Sequence, residues 1–203
     1  MRILAFSDLH LSRTRAEALV EASRGVDLVI GAGDFCNARA GLDQAMAMLS
    51  GLAAPLLAVP GNAESAEELR AAAPEATVLH GEGAVIGGVR FFGLGGGVPV
   101  TPFGAWSFDL TEAAAEELLA ACEAADVLVT HSPPKGVADA TSAGLSVGST
   151  AIRAAIERLQ PALALCGHVH EAWRQEGRIG RTRVVNLGPF AHVFEVSPEA
   201  GGQ

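Results

Sequence analysis

Five short runs of apolar residues, each running into a glycine or a side chain able to bind a metal, constrain this chain more than any other feature. They are "RILAFS" (2–7), "DLVIGAG" (27–33), "PLLAVPG" (55–61), "DVLVT" (126–130) and "PALALCG" (161–167). Runs of this length and character read as buried strands. Amphipathic stretches separate them. Residues 14–24 read as a helix opened by a capping-box pair, Thr14 and Glu17. In 41–52, Leu42, Met46, Leu49 and Leu52 share one helical face. Residues 65–73 carry a second capping-box pair, Ser65 and Glu68, and 111–122 and 149–159 read as two further helices, the last capped by Ser149. Residues 76–97 are short runs split by glycines, which predicts strands and hairpins, and 172–196 reads as a strand meander. The order βαβαβα, strands, βαβ, strands predicts an α/β protein of two mixed sheets packed face to face with helices outside. One domain over 1–197 with a disordered tail at 198–203 is expected.

The chain has 203 residues, 49% of them apolar, enough for a sizeable core. A formal net charge of −9 argues against stable nucleic-acid binding, which needs many Lys and Arg contacts to phosphate. It leaves an anionic substrate open, because bound cations dominate a local field. Cys36, Cys122 and Cys166 are odd in number and contain no CxxC, as expected in a reducing compartment. The opening "MRILAFSDLH" is too short in its apolar run for a signal peptide, and no stretch reaches the roughly 18 apolar residues of a membrane span. A cytoplasmic location is expected; the oligomeric state is left open.

Where the strands end is informative. Strand one leads to Asp8 and His10, strand two to Asp34, strand three to Asn62, the strand at 126–130 to His131, and the strand at 161–167 to His168 and His170. Sites gather at the carboxyl ends of strands in open α/β sheets. A lone Asp at a strand end is ordinarily a cap or turn residue, and a lone HxH is ordinarily surface. Five segments of the same design argue for a site. An Asp bridging two divalent cations holds them roughly 3.5–4 Å apart. Neutral imidazoles suit Zn, Mn, Fe or Ni. The amide oxygen of Asn62 would add a ligand without adding charge.

Taken in order, "DLH", "GD", "GNAE", "TH" and "GHVH" resemble the calcineurin-like metallophosphoesterase superfamily, whose pattern is D-x-H, G-D, G-N-H-[DE], a lone His and G-H-x-H. The resemblance spans 8–170, with "NLGPF" (186–190) as a further element, and the stretch from "THSPPKGVAD" to "GHVHE" is most similar to small single-domain phosphodiesterases. It implies a four-layer α/β/β/α sandwich and two divalent metal ions. By resemblance, Asp8, His10, Asp34 and His170 hold the first ion, and Asp34, Asn62, His131 and His168 hold the second. Asp34, Asn62 and His131 would then act catalytically through the metals, with a hydroxide between the ions as nucleophile. The implied activity is hydrolysis of small phosphodiesters. A phosphomonoesterase, or a metal-binding interaction scaffold without turnover, are the alternatives.

One position departs from the family. Where the pattern has the His that protonates the leaving oxygen or steadies the phosphoryl group, this chain has Ala63. The departure touches the general acid and leaves the ligand set whole.

Other residues stay open at this stage. His80 reads as a turn residue. His192 is either a strand-face residue or a stand-in for the missing acid, and Cys36 either faces the site or is small and buried. Asn37 is either a turn residue or a hydrogen-bond partner of a ligand. Gly95, Gly96 and Gly97 form no G-x-G-x-x-G between strand and helix, which argues against a dinucleotide site. The loop 98–109, with Phe103, Trp106 and Phe108, either covers an aromatic or nucleobase group or anchors the fold. The helix start at Ser149 is a place where an oxyanion could bind.

Overall fold

The computed structural model describes residues 1–198. Its first strand, β1 (Arg2–Phe6), is followed by β2 (Leu28–Ala32), β3 (Leu56–Val59) and β4 (Thr77–Val78), all parallel in one sheet. Strands β5 (Glu82–Ile86), β6 (Val89–Leu94), β7 (Val127–Thr130), β8 (Leu163–Cys166), β9 (Glu176–Ile179) and β10 (Thr182–Asn186) form a second sheet in the order β5-β6-β7-β8-β10-β9. The last strand, β11 (His192–Glu195), pairs antiparallel with β1, giving the first sheet the order β11-β1-β2-β3-β4. In the second sheet β5 and β9 run antiparallel to their neighbours and the four central strands are parallel. Both sheets are therefore mixed.

Side chains alternate faces along a strand. Ile3 and Ala5 of β1 enter a central cluster with Ile30, Leu57, Val127, Val129 and Leu165, which fills the space between the sheets. Leu4 and Phe6 turn the other way, onto α1 (Arg13–Ala22), α2 (Leu42–Leu49) and α3 (Ala66–Ala72), meeting Leu19, Leu49 and Leu69. In the second sheet, Leu128 and Ala164 pack under α4 (Glu112–Ala120) and α5 (Thr150–Leu159) with Leu119, Ile152 and Ile156. The buried positions of the central strands thus meet apolar partners on both faces, which is why these strands read as apolar runs. The result is the four-layer α/β/β/α sandwich expected from the sequence.

Two local expectations do not hold. Helix α1 starts one residue before Thr14, and Ser12 occupies the cap position without a side-chain cap bond, so no Thr14–Glu17 box forms. The preceding turn sets the start: Ser12 N–H is already bonded to the Leu9 carbonyl. The Ser65–Glu68 box of α3 is present in both directions. The meander also stops at β10. The turn that follows is tied to the first sheet, with Ser7 N–H donating to the Gly188 carbonyl and Gly188 N–H donating to Ser7 Oγ, so β11 crosses to β1 instead of extending the second sheet. From residue 199 the expected tail lies outside the described residues.

Candidate metal centre

The strand ends of both sheets meet at one end of the sandwich. Asp8, His10, Asp34 and Asn62 follow β1, β2 and β3; His131 follows β7, and His168 and His170 follow β8. One donor atom from each of Asp8, His10, Asp34 and His170 fits within 4.8 Å of the others, and Asp34, His131 and His168 form a second such group. Asp34 belongs to both groups. Its Oδ2 lies 3.5 Å from His10 Nε2 and its Oδ1 3.5 Å from His131 Nε2. Asn62 Oδ1 joins the second group, 3.1 Å from His131 Nε2 and 2.9 Å from His168 Nδ1. All seven residues expected from the sequence come together.

The backbone bends sharply to achieve this. Asp8, His10, Asp34 and His168 all have positive φ (53°, 45°, 56° and 68°). Such conformations cost about 1–3 kcal/mol each for a non-glycine residue and persist where the surroundings over-determine them. Two glycines make room. A Cβ on Gly61 would collide with the backbone nitrogen and Oδ1 of Asp34, and one on Gly167 with Ser7 Oγ and Asp8 Oδ2.

Hydrogen bonds behind the ligands set their orientation. His131 Nδ1 lies 2.8 Å from the Ala32 carbonyl and His10 Nδ1 3.0 Å from the Cys36 carbonyl. A carbonyl can only accept, so each Nδ1 donates a proton and each Nε2 is the nitrogen that faces the centre. Asn37 Oδ1, also 3.0 Å from His10 Nδ1, is thus a hydrogen-bond partner of a candidate ligand. Asp8 accepts from Ser7 Oγ, the His168 N–H and Trp173 Nε1, and Trp173 also packs against the His170 ring at 4.4 Å. Asn62 Nδ2 donates to Ser107 Oγ at 3.0 Å, which leaves Oδ1 as the atom facing the imidazoles. Ser107 and Thr101 in turn donate to Asp109, and Phe108 N–H donates to the Asn62 carbonyl, so the loop 98–109 is locked to a ligand.

Glu64 is the main support of the candidate centre that strand-end reasoning missed. It is fully buried and accepts from the N–H groups of Asp34 (2.8 Å), Gly61 (2.6 Å) and Phe35 (3.2 Å), pinning the turn after β2 to the turn after β3. Its place in "GNAE" was visible; its role was not. Trp173 and Ser107 carry no local signal, since each acts across a long sequence separation.

Burial and charge oppose one another here. Burial disfavours a charged His131, but Asp34 and then Asp8 outweigh it and push its pKa up to about 9. Burial also works against the Asp34 carboxylate, yet His131 and His10 hold it below the usual range. His168 is pushed down to about 4 by burial and by the charge of His131. Burial and Asp34 push Glu64 up to about 7 against its N–H donors. Two carboxylates, four imidazoles and one amide oxygen, with His10 Nε2 only 3.2 Å from His170 Nε2, form a donor set that divalent cations suit.

The open candidates resolve as follows. Cys36 is buried, donates to the Ala63 carbonyl, and has its thiol pushed up to about 12 by burial and by Glu64, so it is unreactive. His192 is spent on the Leu187 carbonyl at 2.9 Å and stacks on Phe194. His80 accepts from Gly95 N–H and packs on Phe108, which anchors that end of the loop. Phe103 and Trp106 instead stack on each other and line the cavity over the ligands. The start of α5 receives no external oxyanion: Glu112 accepts from Ser149 Oγ and the N–H groups of Thr150 and Ala151.

With this geometry in view, the comparisons are consistent. The family model of the calcineurin-like phosphoesterase superfamily domain matches residues 1–200, and the chain belongs to that superfamily, whose members are dimetal phosphoesterases. Among solved structures, TT1561 of Thermus thermophilus has the same fold at 20% identity over 92% of this chain and 88% of its own (TM-score 0.71). A dimetal phosphatase from Danio rerio aligns at 13% identity over 94% and 88% (TM-score 0.61). A phosphopantetheinyl hydrolase from Mycobacterium tuberculosis aligns at 18% identity over 92% and 89% (TM-score 0.62). No curated protein gives a significant sequence match.

Proposed function

We propose that this chain is a dinuclear metal-dependent phosphodiesterase acting on small esters, with one catalytic domain over residues 1–197. The observation that carries the reading is Asp34, whose two oxygens face two separate ligand groups. In this reading Asp8, His10, Asp34 and His170 hold one ion, and Asp34, Asn62, His131 and His168 hold the other; Mn, Fe, Zn and Ni all suit the donors. Two such cations supply Lewis acidity toward phosphoryl oxygens and a water-derived nucleophile at neutral pH.

The chain's own residues do the rest. Glu64 fixes the two turns that present Asp34 and Asn62. Trp173 and Ser7 hold Asp8, and Ser107 holds the Asn62 amide. The preference for a diester follows from charge. The cavity of about 420 Å³ over the ligands is lined by His10, Asp34, Asn62, Phe103, Trp106, His168, His170 and Glu171, with no Arg or Lys among them. A dianionic monoester is served best by cationic side chains; a monoanionic diester needs fewer. A cytoplasmic location accords with three free, buried cysteines. Among the described residues no helix is long and apolar enough to cross a membrane.

A panel of aryl and cyclic phosphodiesters and the matching monoesters, assayed with each metal, tests this. Turnover of diesters above monoesters, abolished by a chelator and restored by metal, is the expected result. A preference for monoesters would make the protein a phosphomonoesterase. No turnover by fully metallated protein would leave a metal-binding scaffold.

A further inference from the structure

Beside the centre lies a second and larger cavity of about 590 Å³, walled on one side by the loop after β6 and on the other by the loop leading into α5. Phe103, His168 and Glu171 line both cavities, so the two adjoin. The exposed surface of the walls is mainly apolar. Val100 is 59% exposed, Phe103 50% and Val147 40%, and Leu145 and Trp106 on the same two loops are exposed as well. Large exposed hydrophobics are unremarkable when scattered; gathered beside a site they mark a contact surface.

The walls are also built to stay apart. Asp109 fixes one loop by accepting from Thr101 N–H and Ser107 Oγ. Asp139 fixes the other by accepting from the N–H groups of Gly136 and Gly148. A preformed apolar wall lowers the cost of binding an apolar group. Charge complementarity points the same way. Lys135 is the one cation in the lining, and its ammonium is bonded to the Ser146 carbonyl. The two carboxylates there belong to Glu112 and Glu171, so a second phosphate finds no cradle.

We propose that this trough binds the uncharged, apolar alcohol-derived arm of the phosphodiester, an aryl or medium-chain alkyl group, while the phosphoryl group sits at the metal centre. The inference rests on the phosphodiesterase reading above and adds a substrate class to it: small amphiphilic diesters. A volume of this size is in the range of small-molecule pockets.

The test uses three p-nitrophenyl diesters that share a leaving group and differ in the second ester group: methyl, hexyl or phenyl. Binding of methyl and hexyl methylphosphonate monoesters, measured by calorimetry on metal-loaded protein, runs in parallel and needs no turnover. The expected result is a preference for hexyl and phenyl over methyl of about 10-fold or more in kcat/KM, carried by KM, since even one methylene in a hydrophobic pocket is worth about 10-fold or more. Val100→Asp and Val147→Asp should erase the preference. Val85→Asp, at a still more exposed valine away from the cavity, should keep it. Turnover with equal kcat/KM for all three esters would overturn the trough and leave the phosphodiesterase reading standing. No turnover, with hexyl phosphonate still bound more tightly than methyl and released by Val147→Asp, would support the trough and sink the phosphodiesterase reading. Neither turnover nor graded binding would sink both. A dimer that Val147→Asp dissociates in sedimentation, or co-pelleting with phosphatidylcholine vesicles, would assign the patch to a second copy or a lipid surface and overturn the proposal.

Discussion

Ala63 is 1% exposed, and its carbonyl accepts from Arg39 N–H and Cys36 Sγ. Its methyl group offers no proton, and the two imidazoles outside the centre are engaged elsewhere, His192 with the Leu187 carbonyl and His80 with the Gly95 N–H. In the proposed reaction the leaving oxygen would therefore depart largely as its anion unless metal or water assists. General acid catalysis typically supplies roughly 10²–10⁴-fold. That loss should be small for a nitrophenolate and large for an alkoxide, so a leaving-group series should show the rate falling steeply as leaving-group pKa rises. Ala63→His should flatten the slope in whatever fraction folds, at about 1–3 kcal/mol of stability, because a buried site must make room for a ring. A shallow wild-type slope would reveal another donor. Ser107→Ala should free the Asn62 amide to turn and weaken the second ion about 10–100-fold, read by metal titration; unchanged affinity would mean the amide is held by other contacts. The seven candidate ligands were legible because each follows an apolar strand. Trp173 and Ser107 were not, because Trp173 meets Asp8 and Ser107 meets Asn62 only once the chain has folded.

Element α5 shows what a sequence window hides. Ser149 was legible as its cap, and its Oγ does accept from Ile152 N–H. Glu112, at the start of α4, could not be foreseen to fill the remaining N–H groups of another helix. Burial opposes the Glu112 charge, but the Ala151 N–H and Ser149 hydroxyl hold its pKa below 4.5. A carboxylate with a depressed folded-state pKa adds stability above the unfolded value and loses it as pH falls through the folded one. Glu112→Gln should thus lower stability at pH 7 by about 1 kcal/mol, discounted for its partial exposure, a shift of roughly 2–4 °C. Thermal melts should show the gap to wild type closing as the pH falls below the usual glutamate range. A gap that persists there would mean the bonds, not the charge, matter. The crossing of β11 was illegible for a similar reason, since the Ser7–Gly188 tie that redirects it joins the two ends of the chain.

Across the whole molecule, the net charge of −9 works against the many phosphate contacts a polynucleotide needs. Polynucleotide binding should be weak and almost flat with salt; tight binding with a steep salt slope would contradict this. The layered fold was legible because both faces of its central strands are covered, leaving apolar runs that a half-exposed sheet would not have. The centre then joins the sheets, drawing Asp8, His10, Asp34 and Asn62 from one and His131, His168 and His170 from the other. Asp34 is the residue both groups share, and so the most direct measurement is metal stoichiometry and aryl-diester turnover on wild type and Asp34→Asn together. Two ions per wild-type chain, with both ions and turnover lost in parallel from Asp34→Asn while His170→Ala loses mainly one ion, is the predicted result. Asp34→Asn retaining two ions and near-normal turnover would contradict the account.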